Sequence, residues 1–384
     1  MGMTPEQIRA VLFCTFVSAS YVISLYLIPS EIRKLPRDNS RHIRYRMVYS
    51  TASTLQSTFL LYFLSRPGSG YVTIPGLSCL VYILFMQASC SIQFLYLIHS
   101  SLSELYGSCS YCCCTTGDTY FESIGLKLEN MLSSAFTTLM LMSIFYLGPL
   151  VVSAAMVIIC MGYEVLPSGE LKAKESRSNP AIELYKQAQE YCKSTIVSIR
   201  DEYGFLCITR NLIFAPITEE IAFRSMMIPV LYAAFTAAAD GSSSSNGFYM
   251  APVQIALLSP AYFALAHIHH IIEKSRGGMP LKIAVLQVTV QLSYTSIFGV
   301  IAALIFMRTY SIAGPILSHF ICNVCGLPDT DFTKPPNSRY ASQTSCLYNY
   351  RYLLLFLHAF GLVMFSLVLF PLTESQAKHS MLYH

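Results

Sequence analysis

Ala215-Pro216-Ile217-Thr218-Glu219-Glu220-Ile221-Ala222-Phe223-Arg224 lies in the middle of the apolar run Phe205–Ala239. Two carboxylates and a guanidinium inside a hydrophobic segment are costly, at about 2.5–3.5 kcal/mol per charge on membrane-insertion scales. A segment of this kind belongs in a bundle interior where its charges find partners. Pro216 can open or kink a helix, which would leave both glutamates near a positive N-terminal end. Adjacent helical residues point about 100° apart, so Glu219 and Glu220 cannot share one task. Glu220 and Arg224 are spaced i, i+4 and can form an ion pair, which leaves Glu219 free to face a cavity. From this stretch alone, a purely structural ion-pair cluster reads equally well.

The rest of the chain has the composition of a membrane protein. Hydrophobic residues make up 54% and charged residues 12%, against about 25% charged in a soluble domain, and the mean hydropathy is +0.49. That leaves too little polar surface to solvate a soluble protein of this size. Apolar stretches of spanning character run over Ala10–Ser30, Met47–Ser65, Tyr71–Ile98, Met131–Tyr163, Phe205–Ala239, Val253–Ile272, Ile283–Met307, Ile312–Leu327 and Tyr352–Leu372. Some are marginal, and the expectation is an all-α polytopic protein of about eight transmembrane helices enclosing a cavity. Met47–Ser65 is rich in Ser and Thr and can lie partly buried instead of crossing. Met131–Tyr163 carries Gly148-Pro149 at its middle and reads either as one kinked helix or as a short hairpin. Trp is absent and Tyr abundant, so Tyr is the expected interfacial anchor.

Three regions follow from this pattern: residues 1–204, with the N-terminal helices, a basic loop and a surface amphipathic helix; 205–330, a transmembrane core that holds the ionisable apolar segments; and 331–384, a loop, the last span and a tail. Arg33, Lys34, Arg37, Arg41, Arg44 and Arg46 follow the first span and place that loop in the cytosol. Residues 179–202 have helical periodicity with mixed charges, and Asp240–Gly247, with four consecutive serines, reads as a flexible linker. Ala10–Ser30 is too long for a signal peptide and lacks a small-residue cleavage site, and no lipidation signal is expected. The net charge of +4 is thinly spread and offers no patch for nucleic acid. Cys109, Cys112, Cys113 and Cys114 loosely suggest zinc, but no histidine completes a ligand set nearby.

Two further elements carry ionisable groups on apolar helices. Phe263 and His267 are spaced to share a helical face, so the aromatic ring can wall the histidine's pocket; His269 and His270 read mainly as interfacial or hydrogen-bonding groups. In Gly314-Pro315-Ile316-Leu317-Ser318-His319-Phe320-Ile321-Cys322-Asn323, Pro315 suits a helix start and Gly326-Leu327-Pro328 its end. His319 and Asn323 then project from one face. Singly, each of these polar groups reads as a helix-packing contact. Jointly, Glu219, His267, His319 and Asn323 are expected to converge. A glutamate with a histidine can deprotonate water, and a histidine with an amide can donate to the oxyanion of a tetrahedral intermediate.

Glu-Glu-x-x-x-Arg, Phe-x-x-x-His and His-x-x-x-Asn, in that order on separate apolar helices, resemble the signature of the CAAX-protease superfamily of glutamate-type intramembrane proteases. The flanks around Glu219, His267 and Asn323 resemble its eukaryotic type II CAAX prenyl endopeptidases. The resemblance implies removal of the last three residues of prenylated CAAX proteins, farnesylated or geranylgeranylated, such as small GTPases. It also implies an endoplasmic reticulum membrane location, a site open to the cytosol and no cofactor. By the same resemblance Glu219 and His267 would activate water, and His319 and Asn323 would form the oxyanion hole. Glu220 and Arg224 would support the site and Phe263 would line it. Rival readings are a zinc protease with Glu219, His267 and His319 as ligands, a thiol protease using Cys322 or Cys325, and a non-catalytic transporter or scaffold.

Overall fold

The computed structural model describes residues 3–65, 124–160, 163–165, 171–173, 202–236, 249–335 and 343–374. The expected span Tyr71–Ile98, the Cys109–Cys114 cluster, the Asp240–Gly247 linker and nearly all of the amphipathic segment 179–202 lie outside the described residues. Helix α1 (Pro5–Tyr26) is followed by a short α2 (Ser30–Arg33) and by α3 (Ser40–Ser65). Next come α4 (Leu128–Phe145) and α5 (Leu147–Cys160), then a small antiparallel pair, β1 (Tyr163–Val165) with β2 (Leu171–Ala173), in which Tyr163 faces Ala173. The composite helix α6 covers residues 202–236. It is followed by α7 (Pro252–His267), α8 (His269–Arg276), α9 (Leu281–Thr309), α10 (Ala313–Cys325) and, after two 3-10 turns, α11 (Arg351–Leu372). The two short strands are the only strands among the described residues.

The helix ends carry the expected chemistry. Before α1, the Thr4 hydroxyl accepts from the Gln7 amide at 3.3 Å and the Gln7 side chain accepts from the Thr4 amide at 3.1 Å, a reciprocal capping box with Pro5 at the first position. Gln254 serves α7 in the same way, accepting from the Ala251 amide at 2.8 Å. Helix α10 stops where Gly326 adopts φ +64, as its Gly-Leu-Pro signal requires.

Four helical stretches are long and apolar enough to cross a membrane: Pro5–Tyr26, Pro252–Arg276, Leu281–Thr309 and Leu347–Leu372. A fifth is added if the bent pair Asn130–Phe145 and Leu147–Met156 counts as one span. The expected total of about eight is therefore not reached among the described residues. Helix α10 has only 13 residues, about 20 Å at the helical rise and short of the ~30 Å hydrocarbon layer. Helix α3 has the length but not the hydropathy, in keeping with a Ser/Thr-rich helix packed inside. Its Ser53, Thr54 and Ser57 are buried. Only 22–39% of each of the four spanning stretches is buried within the protein, and large apolar side chains such as Leu132, Leu286 and Tyr352 point outward. An apolar exterior over a polar-lined interior is what a lipid solvent selects. The chain is a multi-pass membrane protein.

The two helices of Met131–Tyr163 meet at 72° with the turn at Tyr146, a geometry that fits either a broken span or a re-entrant hairpin. Gly148, in the first turn of α5, lets His358 of α11 approach closely. A Cβ on Gly148 would sit 2.8 Å from the His358 Cα, and a Cβ on Gly361 would sit 2.6 Å from the Ile144 carbonyl oxygen.

The main core draws Phe13, Cys14 and Val17 of α1 together with Phe223, Met226 and Leu231 of α6, Phe263 of α7 and Phe306 of α9. It crosses the boundary expected at residue 204. A buried Arg308 fastens α9 to the end of α11, donating to the Thr373 hydroxyl at 2.8 Å and the Phe370 carbonyl at 2.9 Å, where a cation complements the helix C-terminus.

Gly361→Ala should cost about 1–3 kcal/mol of stability, because the added methyl meets backbone that must move. The melting temperature of the detergent-purified protein is the measurement, and Gly277→Ala, with only ordinary contacts around the new Cβ, should leave it unchanged.

Candidate active site

Helix α6 changes register twice around the two glutamates. Residues Glu202–Thr209 are α-helical, Arg210–Phe214 form a π segment, Ala215–Glu220 return to α, Ile221–Met226 form a second π segment and Met227–Thr236 finish as α. Pro216 therefore does not start a new helix, as the sequence reading allowed; it sits at the first turn after a π segment within a continuous one. In the π register the Ala215 amide bonds the Arg210 carbonyl. The donor due to the Asn211 carbonyl is then residue 216, a proline without an N–H. That orphaned carbonyl accepts instead from the Asn323 side-chain amide of α10, at 2.8 Å.

Glu220 is fully buried and its Oε1 accepts twice, from Arg224 Nη1 at 3.1 Å and from His319 Nδ1 at 2.7 Å. The i, i+4 ion pair read from the sequence is present, and His319 joins it from another helix. The Arg224 guanidinium lies over Phe263, 4.8 Å from the ring centroid, and over Phe298 at 5.6 Å, placements that favour a cation. Gly299 makes the room: a Cβ there would lie 2.7 Å from Pro260 and 3.3 Å from Arg224 Nη2.

Glu219, one residue away, points elsewhere. Its side chain is 17% exposed, and its nearest charged partner is His319 Nε2 at 4.0 Å. Together with His267 it lines a cavity of about 150 Å³ that also touches Tyr21, Asn211, Phe223 and Gln291. Tyr21 is hydrogen-bonded to Thr218 at 3.0 Å, which fixes α1 against the glutamate turn. His267 donates from Nδ1 to the Phe263 carbonyl at 2.7 Å, so its Nε2 is the acceptor. The Phe263 ring packs edge-on to it, with centroids 4.5 Å apart, as the shared face required. Among the described residues Glu219 and His267 make no direct bond to each other.

The expected convergence is thus graded. Glu219 and His267 share the cavity, and His319 reaches Glu219. Asn323 is exposed and touches the site through Asn211, which lines the cavity, and not as a cavity wall itself. His269 and His270, read as interfacial groups, also border the cavity, but their free nitrogens turn to Glu273: His270 Nδ1 lies 3.0 Å and His269 Nε2 3.7 Å from its carboxylate. These three form the one described group whose ligand atoms all fall within 4.8 Å of one another. Among the described residues Glu219, His267 and His319, the trio of the zinc reading, do not form such a group, and no described cysteine lines the cavity. Arg37, Arg46 and Arg210 do line it. The sequence presented the first two only as topological charge, and their sole signal was density in a short loop.

A family model described as type II CAAX prenyl endopeptidase Rce1-like matches residues 202–325, the segment that carries all three motifs. CAAX prenyl protease 2 of Arabidopsis thaliana is 29% identical over 205 residues, which cover 53% of this chain and 57% of that protein. The Homo sapiens protein of the same name is 32% identical over 178 residues, 45% of this chain and 44% of its own length. The Rattus norvegicus one is 26% identical over 265 residues, 69% and 63% of the two chains. The chain spans about half the length of the relatives it matches. No solved structure matches. Residues 202–325 thus resemble the type II CAAX prenyl endopeptidases of the Rce1-like family, and the relatives that share this segment carry the name CAAX prenyl protease 2.

Proposed function

We propose that the chain is an intramembrane endopeptidase that cuts prenylated CAAX proteins after the lipidated cysteine and releases their last three residues. The observation that carries the reading is the division of labour between adjacent glutamates: Glu220 is locked in a buried ion pair while Glu219 opens onto a cavity shared with His267. The names of the relatives, all CAAX prenyl proteases, support the substrate class. A prenyl chain partitions into lipid, so an enzyme placed there meets its substrate already concentrated. Endoplasmic reticulum residence and a cytosol-facing cavity belong to the same proposal.

In the reaction, a water held between Glu219 and His267 Nε2 loses a proton to one of them as its oxygen attacks the carbonyl of the prenylcysteine. The carbonyl oxygen becomes an oxyanion. His319 offers Nε2 toward Glu219; with its Nδ1–H committed to Glu220, Nε2 donates only in the imidazolium form. Asn323 stands outside the cavity lining with one amide hydrogen on the Asn211 carbonyl, so its second amide hydrogen reaches the oxyanion only once the side chain turns toward bound substrate. Collapse of the intermediate breaks the peptide bond, and the leaving amine takes the proton first removed from water. Glu220, Arg224 and Phe263 hold these groups in place.

With a farnesylated CAAX peptide and membranes carrying the protein, Glu219→Gln should lower tripeptide release by about 10²–10⁴-fold, and His267→Ala comparably. Normal release by Glu219→Gln would end the proposal. Glu220→Gln should behave differently. Removing a carboxylate that serves two buried cations costs stability as well as activity, about 3–5 kcal/mol in such pairs. Its melting temperature in detergent should fall by several degrees, whereas that of Glu219→Gln should stay at the wild-type value.

A further inference from the structure

The cavity that holds Glu219 and His267 has a second, cationic region. Arg37, Arg46 and Arg210 line it, and among the described residues Glu219 is the one carboxylate in its lining. Two of the three guanidinium groups already have carboxylate partners: Arg210 Nη2 meets Asp38 Oδ1 at 2.9 Å, and Arg46 Nη1 lies 3.6 Å from Glu273 Oε1. Arg37, in the segment between α2 and α3, has no side-chain hydrogen bond or ion pair among the described residues. Desolvation by the surrounding protein first, then the charges of Arg46 and Arg210, disfavour its cation, and the carboxylates of Glu273 and Asp38 offset part of this from a distance. Arg210 holds the Arg37 backbone in position, donating from Nη1 to its carbonyl at 3.2 Å, and orients Asn211 through a 2.9 Å bond from Nε. The result is an exposed arginine on the cavity wall, anchored through its backbone, with no carboxylate in direct contact among the described residues.

The spacing fits a particular anion. Arg210 and Glu219 are nine residues apart on α6, somewhat less than the ~13 Å of a pure α-helix because Arg210–Phe214 is wound as a π segment. Three residues of extended peptide span about 10 Å. A substrate whose scissile carbonyl sits at Glu219 and whose chain runs back along α6 brings its terminal carboxylate within reach of an arginine side chain at the Arg210 end. Guanidinium groups match carboxylates in fork geometry, and such bonds are charge-assisted.

We propose that Arg37, positioned by Arg210 and flanked by Arg46, binds the free C-terminal carboxylate of the peptide, and that this contact sets the cut at three residues from the end. The inference rests on the endopeptidase reading given above and adds the feature of the substrate that fixes the register of cleavage. A terminal carboxylate is favoured over a lipid phosphate because Arg37 lines the same cavity as Glu219, and Arg210, which holds the Arg37 backbone, stands about a tripeptide's length from Glu219 along α6.

Two farnesylated peptides that differ only at the terminus, one a carboxylate and one a carboxamide, separate the possibilities with the full-length protein in phosphatidylcholine vesicles. The wild type should cut the carboxylate peptide at least tenfold better in kcat/KM, mostly through KM. In Arg37→Gln that preference should collapse toward unity, and Arg37→Lys should restore part of it. Equal cleavage of both peptides by the wild type, or an undiminished preference in a folded Arg37→Gln, would overturn the assignment. The wild-type comparison needs no variant and decides by itself. If the wild type cuts neither peptide, the endopeptidase reading fails and this inference falls with it, an outcome distinct from equal cleavage of both.

Discussion

A carboxylate with no exposure to solvent holds the site together. Glu220 accepts from Arg224 and His319 through one oxygen, deep inside a protein whose exterior is apolar. In a low-dielectric interior a charge cannot stand alone, and separating such a group from its partners costs far more than the pair contributes over an apolar substitute. The interaction therefore specifies geometry more than it adds stability. It ties α6 to α10 directly. Because Arg224 also lies against Phe263 and Phe298, it ties α6 to α7 and α9 as well. Four helices are brought to one point by three side chains and two rings.

The second constraint is a missing hydrogen. Pro216 has no amide proton, and the π segment before it passes the deficit to the Asn211 carbonyl, which Asn323 then satisfies from α10. A buried carbonyl without a donor is a penalty that native structures avoid. The asparagine at the end of one motif and the proline at the start of another are thus two halves of one hydrogen bond. Local π geometry is frequent at functional sites because it turns side chains without ending the helix. Here two such segments flank Glu219 and Glu220, so the pair is presented by a helix that stays continuous through 35 residues, from 202 to 236.

Close approach of the helices completes the arrangement. Gly299 leaves space beside Pro260 and Arg224, and Gly361 lets α11 lie on the bend between α4 and α5. Between helices in lipid, where no hydrophobic gradient drives association, small residues at crossings and satisfied polar groups supply the specificity. The same segment can serve two ends: the basic loop after α1 carries the charge that orients a membrane protein and also supplies Arg37 and Arg46 to the cavity wall.

The membrane class was legible in composition alone, because a chain with so few charges cannot cover itself with polar surface. The polar positions of three motifs were legible too, since an ionisable side chain on an apolar helix is too costly to leave unused. Helical spacing was enough to pair Glu220 with Arg224, to place Phe263 against His267 and to leave Glu219 free. Spacing along one helix says nothing about its neighbours. Only tertiary packing decided that His319 bonds Glu220, that Asn323 answers Asn211 instead of walling the cavity, and that His269 and His270 turn to Glu273. Register was equally invisible, because a π segment depends on how backbone carbonyls find donors across helices. Arg37, between α2 and α3, and Arg46, on α3, read as topology until folding placed them in one cavity with the glutamate, more than 170 residues away in sequence.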